Sequence, residues 1–171
     1  MKETELKLIC ELIKNSRRSD RELAKLIGVS QPTVTRTRIR LEKEGLIDYT
    51  AIPNLTKLGV GIIALIFGKR NYQKAPESHR QEASDYVGRH PNMVFASDGN
   101  GLGFDRISIS IHKDYSDYAE FFRELKTAWG AIVDMDSFLI DMNSKEIVQP
   151  LSLRGFANYL EKEARPTAPT T

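Results

Sequence analysis

Over the first 45 residues the apolar positions recur at helical spacing. Leu6, Ile9 and Ile13, widened by Leu8 and Leu12, make one stripe across residues 4–14. Asn15-Ser-Arg-Arg interrupts it. Ser19 then stands three residues before Glu22, a reciprocal cap that predicts the start of a second helix. Leu23, Ala24, Leu26 and Ile27 form its apolar face, and Gly28 is the residue type that ends a helix in the left-handed region. Ser30 predicts the cap of a third helix, with Pro32 tolerated in its first turn and Gly45 closing it. Leu46 to Ile52, LIDYTAI, reads as a strand ended by Pro53-Asn54, and Leu55 to Gly59 as a short connection.

Beyond Gly61 the period changes. Gly61 to Lys69 is apolar at nearly every position, as expected of a strand buried on both faces, one against its own helices and one against a partner subunit. A weak helix is predicted over 77–89, a short strand from Met93 to Ser97, and a loop from Asp98 to Gly103. Phe104 to Lys113 alternates, with Ile107, Ile109 and Ile111 on one face and Ser108, Ser110 and His112 on the other. Tyr118, Phe121, Phe122, Leu125 and Trp129 mark an amphipathic helix stopped by Gly130, and Ile132 to Met142 is a last strand. The order β-α-β-β-α-β is the ferredoxin-like split arrangement. Leu153, Phe156, Tyr159 and Leu160 predict one further helix. The expected fold class is therefore α+β: an N-terminal winged helix-turn-helix, a ferredoxin-like domain and a C-terminal helix. The expected domains are 1–55 and 60–164, followed by a Pro/Thr tail, 165–171, expected to be disordered.

Net charge adds little until it is divided along the chain. The total is only +2, but residues 1–55 hold eleven Lys/Arg against eight Asp/Glu, while residues 56–171 hold fourteen against fifteen. Attraction to a polyanion is thus expected in the N-terminal third. The third helix concentrates it: Arg36, Arg38 and Arg40 precede any acid in that helix. A positive helix displayed after a tight Gly-Val-Ser turn is a device for entering the major groove of double-stranded DNA. The residues expected to contact DNA are Arg17, Arg18, Ser30, Gln31, Pro32, Thr33, Thr35, Arg36, Arg38 and Arg40. Gln31, Thr35 and Arg36 are expected to read bases. The first-turn amides with Thr33, and Arg17, Arg18 and Arg40, are expected on phosphates. Arg38 shares the core side of the helix, so its stem is expected to be buried with its charge sent outward.

The remaining motifs carry less chemistry. The single Cys10 excludes an intramolecular disulfide and a Cys-rich zinc site. His79, His90 and His112 do not cluster with Cys or carboxylates at ligand spacing, so neither a metal site nor a catalytic group is expected, and no cofactor. Gly99-x-Gly101-x-Gly103 lies between two strands, opens no helix and lacks a Gly-Lys-Ser/Thr ending. It reads either as a plain hairpin or as an effector-contacting loop of Gly99, Gly101, Leu102, Gly103 and Asp105, where Asp105 would pair with an amino group and loop N–H groups with a carboxylate. The charged N-terminus has no signal-peptide core, and Val60 to Phe67 is too short to span a bilayer, so a cytoplasmic location is expected.

Specific residues also resemble the Lrp/AsnC family of transcriptional regulators. Arg18 to Ala24 is similar to that family's second-helix opening, and Leu26-Ile27-Gly28-Val29-Ser30 with Thr33-Val34 to its turn and recognition-helix start. Leu41-Glu42, Gly45-Leu46-Ile47, Tyr49-Thr50-Ala51 and Leu58-Gly59 extend the likeness, and Gly103-Phe104-Asp105 resembles its Gly-x-Asp pattern. The resemblance implies a homo-oligomer that binds DNA and responds to a small effector such as an amino acid, held near Gly101–Asp105 at a subunit interface. Siroheme decarboxylases resemble the same two-domain plan. The basic third helix speaks against that alternative.

Overall fold

The computed structural model describes residues 2–74 and 79–163. They fall into two compact units. The first takes residues up to Ile52 together with those from Gln149 onward, and the second runs from Pro53 to Val148.

In the first unit α1 (Glu3–Lys14), α2 (Asp20–Ile27) and α3 (Gln31–Lys43) form as the apolar spacing predicts. The reciprocal cap of α2 is present: the Ser19 N–H donates to Glu22 Oε2 at 2.8 Å, and the Glu22 N–H to Ser19 Oγ at 3.3 Å. Gly28 adopts φ 75°, which turns the chain sharply between α2 and α3. At the start of α3 Ser30 Oγ accepts the Thr33 N–H at 3.4 Å and meets Thr33 Oγ1 at 2.8 Å. The core joins all three helices through Leu8, Leu23, Val34 and Leu41, each fully buried. Burying a side chain of this size stabilises by about 1.5–3 kcal/mol.

Two expectations change here. Residues 47–54 form no regular element, so the predicted strand Leu46–Ile52 is not made. Leu46 and Ile52 stay exposed, because the unit offers this segment no strand to pair with. The C-terminal helix, α6 (Arg154–Glu163), was expected in the 60–164 domain but groups with the first unit and packs on α1. Ala157 is fully buried, and Lys14 Nζ meets Glu161 Oε1 at 2.5 Å. Cys10, on α1, is also fully buried, and burial raises its thiol pKa. The expected tail, 165–171, lies outside the described residues.

The second unit holds β1 (Ile62–Arg70), α4 (His79–Arg89), β2 (Met93–Gly101), β3 (Phe104–His112), α5 (Tyr115–Trp129) and β4 (Val133–Asp141). The sheet order is β2-β3-β1-β4, and all three pairings are antiparallel. This is the ferredoxin-like arrangement predicted. β2 runs four residues further than expected, through the glycine-rich stretch. The loop shrinks to Leu102 (φ 53°) and Gly103 (φ 81°), two successive positive φ values as in a type I′ hairpin turn.

Helices cover one side of this sheet. Ala64 and Ile66 pack there against Tyr118, Phe121 and Leu125, with Met135 and Leu139 from β4. Strand alternation puts Ser108, Ser110 and His112 of β3 on the same covered side, and Ser110 and His112 are buried. Ser110 Oγ and His112 Nε2 meet in a hydrogen bond at 2.8 Å, with Tyr118 and Phe121 against the ring, while His112 Nδ1 is buried without a hydrogen-bond partner among the described residues. The opposite side carries Ile63, Leu65 and Phe67 of β1, which pair with Ile111, Ile109 and Ile107 of β3. It stays partly exposed, with Phe95 at 50% and Phe138 at 62%.

Candidate nucleic-acid interface

Helix α3 is set by its core contacts. With Val34 and Leu41 inward, Pro32, Arg36, Ile39 and Lys43 fall on the opposite side at helical spacing, and all four are exposed. Ile39 is 58% exposed. Two cations thus flank an apolar group on a stripe without an acid. Among the described residues Arg36 has no ion-pair partner; its Nε donates to the Pro32 carbonyl at 3.4 Å. Gln31 is exposed beside this stripe, and Arg17 is exposed ahead of α2.

The other expected contact residues are tied up within the unit. Arg38 does not send its charge outward. Its Nη1 meets Asp20 Oδ1 at 3.0 Å, its Nε donates to Tyr49 Oη at 2.8 Å, and its guanidinium lies 4.9 Å from the Tyr49 ring centroid. The same Asp20 accepts the Thr35 hydroxyl on Oδ2 at 2.6 Å. The Thr35 hydroxyl bond, and then Arg38, hold the Asp20 carboxyl below its ordinary range although burial opposes them. Arg40 Nη2 meets Glu5 Oε1 at 2.6 Å, with Glu44 at 3.7 Å. Arg18 pairs with Glu11. Glu5, Glu11, Asp20 and Tyr49 are therefore partners of the expected contact residues that sequence reading missed. Asp20 lies 18 positions before Arg38, and Glu5 lies 35 before Arg40. No local pattern announces such pairs.

The expected effector residues lie at the end of β2, in the hairpin turn and at the start of β3. Gly99 and Gly101 belong to β2, and Leu102 is 85% exposed at the hairpin tip. The Asp105 carboxylate accepts the Arg70 N–H at 3.2 Å and Arg106 Nε at 3.1 Å. Burial alone would raise its pKa, but Arg106, the Arg70 N–H and Tyr72 hold it below the ordinary carboxylate range. Asp105 is thus engaged in joining the end of β1 to β3.

One further arrangement has a nucleophile, a base and a carboxylate in line. Ser110 Oγ lies 2.8 Å from His112 Nε2, and His112 Nδ1 lies 3.6 Å from Asp117 Oδ2. The Ser110 and His112 side chains are buried beneath α5, with Tyr118 and Phe121 against the imidazole. Burial pushes the His112 pKa down, against the opposing pull of Asp117. Among the described residues no group of His, Cys, Asp and Glu is placed to hold a metal ion. No helix there is long and apolar enough to cross a membrane.

Residues 1–48 match the family model of winged helix-turn-helix DNA-binding domains. Over nearly the whole chain the likeness is to solved regulators. A transcriptional regulator of Neisseria meningitidis, in complex with L-Met, is 21% identical with a TM-score of 0.74, covering 91% of this chain and 99% of its own. An AsnC family transcriptional regulator of Agrobacterium tumefaciens is 19% identical with a TM-score of 0.74, covering 90% and 97%. Escherichia coli AsnC is 15% identical with a TM-score of 0.70, covering 88% and 97%. The chain has the Lrp/AsnC fold. In that fold the matched N-terminal residues include α3 with its exposed stripe, and the four-stranded sheet forms the second unit. No curated protein matches the chain in sequence.

Proposed function

We propose that the chain is a sequence-specific DNA-binding transcriptional regulator that works as a homo-oligomer. The observation that carries the reading is the outward stripe Pro32, Arg36, Ile39 and Lys43 on a helix that matches a DNA-binding family. Gln31 and Arg36 read base edges, and Ile39 meets a thymine methyl or sugar. Arg17, Lys43 and the first-turn amides with Thr33 hold phosphates. Arg38 acts from inside: with Asp20 and Tyr49 it fixes α3 against α2 and the segment that follows. Arg40 is already balanced by Glu5, so it adds less to phosphate binding than its exposure alone suggests.

Self-association rests on the sheet. β3 hides serines and a histidine under the helices and turns Ile107, Ile109 and Ile111 to the uncovered side. A second copy offers the same apolar side, and two such sheets packed face to face bury both. A two-fold dimer then reads inverted half-sites. An amino acid is the proposed effector class, in keeping with the L-Met complex of the Neisseria regulator.

The test is selection of bound fragments from genomic DNA by the full chain, followed by fluorescence anisotropy at several salt concentrations. A selected site bound far more tightly than scrambled DNA, with affinity falling steeply as salt rises, is the expected result. Equal affinity for all fragments, or no binding in dilute buffer, overturns the reading.

A further inference from the structure

The Thr35 hydroxyl is engaged inside the first unit, but its engagement is one-sided. A hydroxyl has one proton to donate and two lone pairs that accept. Thr35 Oγ1 donates to Asp20 Oδ2 at 2.6 Å. A second acceptor within reach, the Gln31 carbonyl at 3.2 Å, is longer and uncharged, so the carboxylate takes the hydrogen bond. Asp20 has nothing to donate in return: its carboxyl is held below the ordinary range, and an ionised carboxylate only accepts. Nor can it turn away. Its other oxygen, Oδ1, accepts from Arg38 Nη1 at 3.0 Å, and Arg38 is itself held by Tyr49 Oη at 2.8 Å. The Asp20 side chain is only 20% exposed, so water competes weakly for either oxygen. Thr35 is left with lone pairs and no free proton.

Its place on α3 gives that asymmetry a use. Gln31, Thr35 and Ile39 follow at intervals of four and so lie in one row along the helix. Gln31 and Ile39 are exposed, and Thr35 is partly exposed between them. In the major groove adenine and cytosine present an amino group, whereas guanine and thymine present a keto oxygen. A lone pair meets an amino group in a hydrogen bond. Against a keto oxygen it leaves two acceptors unpaired. We infer that Asp20 sets specificity at one base pair: by accepting the Thr35 hydroxyl it leaves Thr35 an acceptor alone, which selects adenine or cytosine on the contacted strand and disfavours guanine or thymine. Asp20 touches no DNA and acts as a positioning residue. The inference rests on the DNA-binding reading and deepens it.

The test starts from a DNA site selected by the full chain, with each position then varied through the four base pairs and binding followed by fluorescence anisotropy. Thr35→Val keeps the shape and removes the hydroxyl, so the position at which it loses preference is the one Thr35 reads. There the parent is expected to favour adenine or cytosine on one strand by about fivefold or more. Asp20→Asn is the decisive variant. Arg38 can only donate, so the new carboxamide keeps its oxygen toward Arg38 and turns its NH2 to Thr35. Thr35 then accepts from the carboxamide and its own proton is released, so the preference is expected to collapse while circular dichroism shows the helices intact. A measurement without DNA stands beside these. In the free chain Thr35→Val should raise the Asp20 pKa toward the ordinary 3.8, followed by carboxyl carbon NMR. Four results overturn the inference alone: a selected site at which Thr35→Val changes no preference, a guanine or thymine preference at the Thr35 position, an undiminished preference in a folded Asp20→Asn chain, or an Asp20 pKa that Thr35→Val leaves in place. A parent chain that selects no site overturns the DNA-binding reading, and this inference with it.

Discussion

The two units bury opposite kinds of side chain on their best-defined elements. In the first, α3 puts Val34 and Leu41 inside and Arg36 and Lys43 outside, as an amphipathic helix should. In the second, β3 puts Ser110 and His112 inside and leaves Ile107, Ile109 and Ile111 half exposed. Helix α3 thus hides apolar groups and shows charged ones, whereas β3 hides polar groups and turns an apolar side away from its own helices. The charged surface proposed for DNA and the apolar surface proposed for self-association are thus divided between the two, and each can be attacked separately.

The largest effect is expected from a charge on the uncovered side of the sheet. Ile109→Asp should raise the dimer dissociation constant by more than about a hundredfold, because an unpaired buried charge costs about 3–5 kcal/mol. Light scattering after size exclusion checks it, with circular dichroism to show that the helices persist. An unaltered oligomer would mean that this side is not the interface. Next, Leu41→Ala should destabilise the first unit by about 2–5 kcal/mol through a cavity in its core, read as a lowered denaturation midpoint. A negligible change would show that the helical core is less closely packed than its full burial indicates. Smaller again, Arg36→Ala should cost about 1–3 kcal/mol at one base pair and relax preference there. Arg40→Ala should change the salt dependence less than Lys43→Ala does, because Glu5 already balances Arg40. If the two substitutions flatten it equally, the Glu5 pair opens on DNA.

The smallest effect is one of pH. His112 has its pKa lowered by burial from the ordinary 6.5. The unfolded chain therefore binds the proton more readily than the folded one just below pH 6.5, so stability falls as pH drops into that window and is full above it. A denaturation series across it should show the decline, reduced in His112→Gln. An equal decline in the variant would assign the effect to other groups.

Much of this was legible in the sequence because it is local. The Ser19–Glu22 cap, the Gly28 turn and the Ser30 cap each lie within four residues, and all three form. The alternation of β3 separates two sets of side chains, but alternation has no sign. It does not say which set the helices will cover, and composition alone favours the wrong one. The stretch Asp98-Gly-Asn-Gly reads as loop because those residues disfavour strands, yet pairing with β3 carries β2 on to Gly101. Leu102 at φ 53° is the residue type least expected there. The arginines of α3 were legible as a basic cluster and illegible as individuals. Whether a guanidinium is free depends on Glu5 and Asp20, which only folding brings near.

The buried thiol of Cys10 gives the molecule an internal clock. It is sealed in α1, on the helix that α6 packs against, and a water-soluble disulfide reagent can reach it only when that assembly opens. The rate of its modification therefore reports opening of the helical unit alone, in the intact chain: the open population where reclosing outruns the reagent, and the opening rate where the reagent outruns reclosing. Whatever slows that modification on adding DNA has tightened the reading head from within.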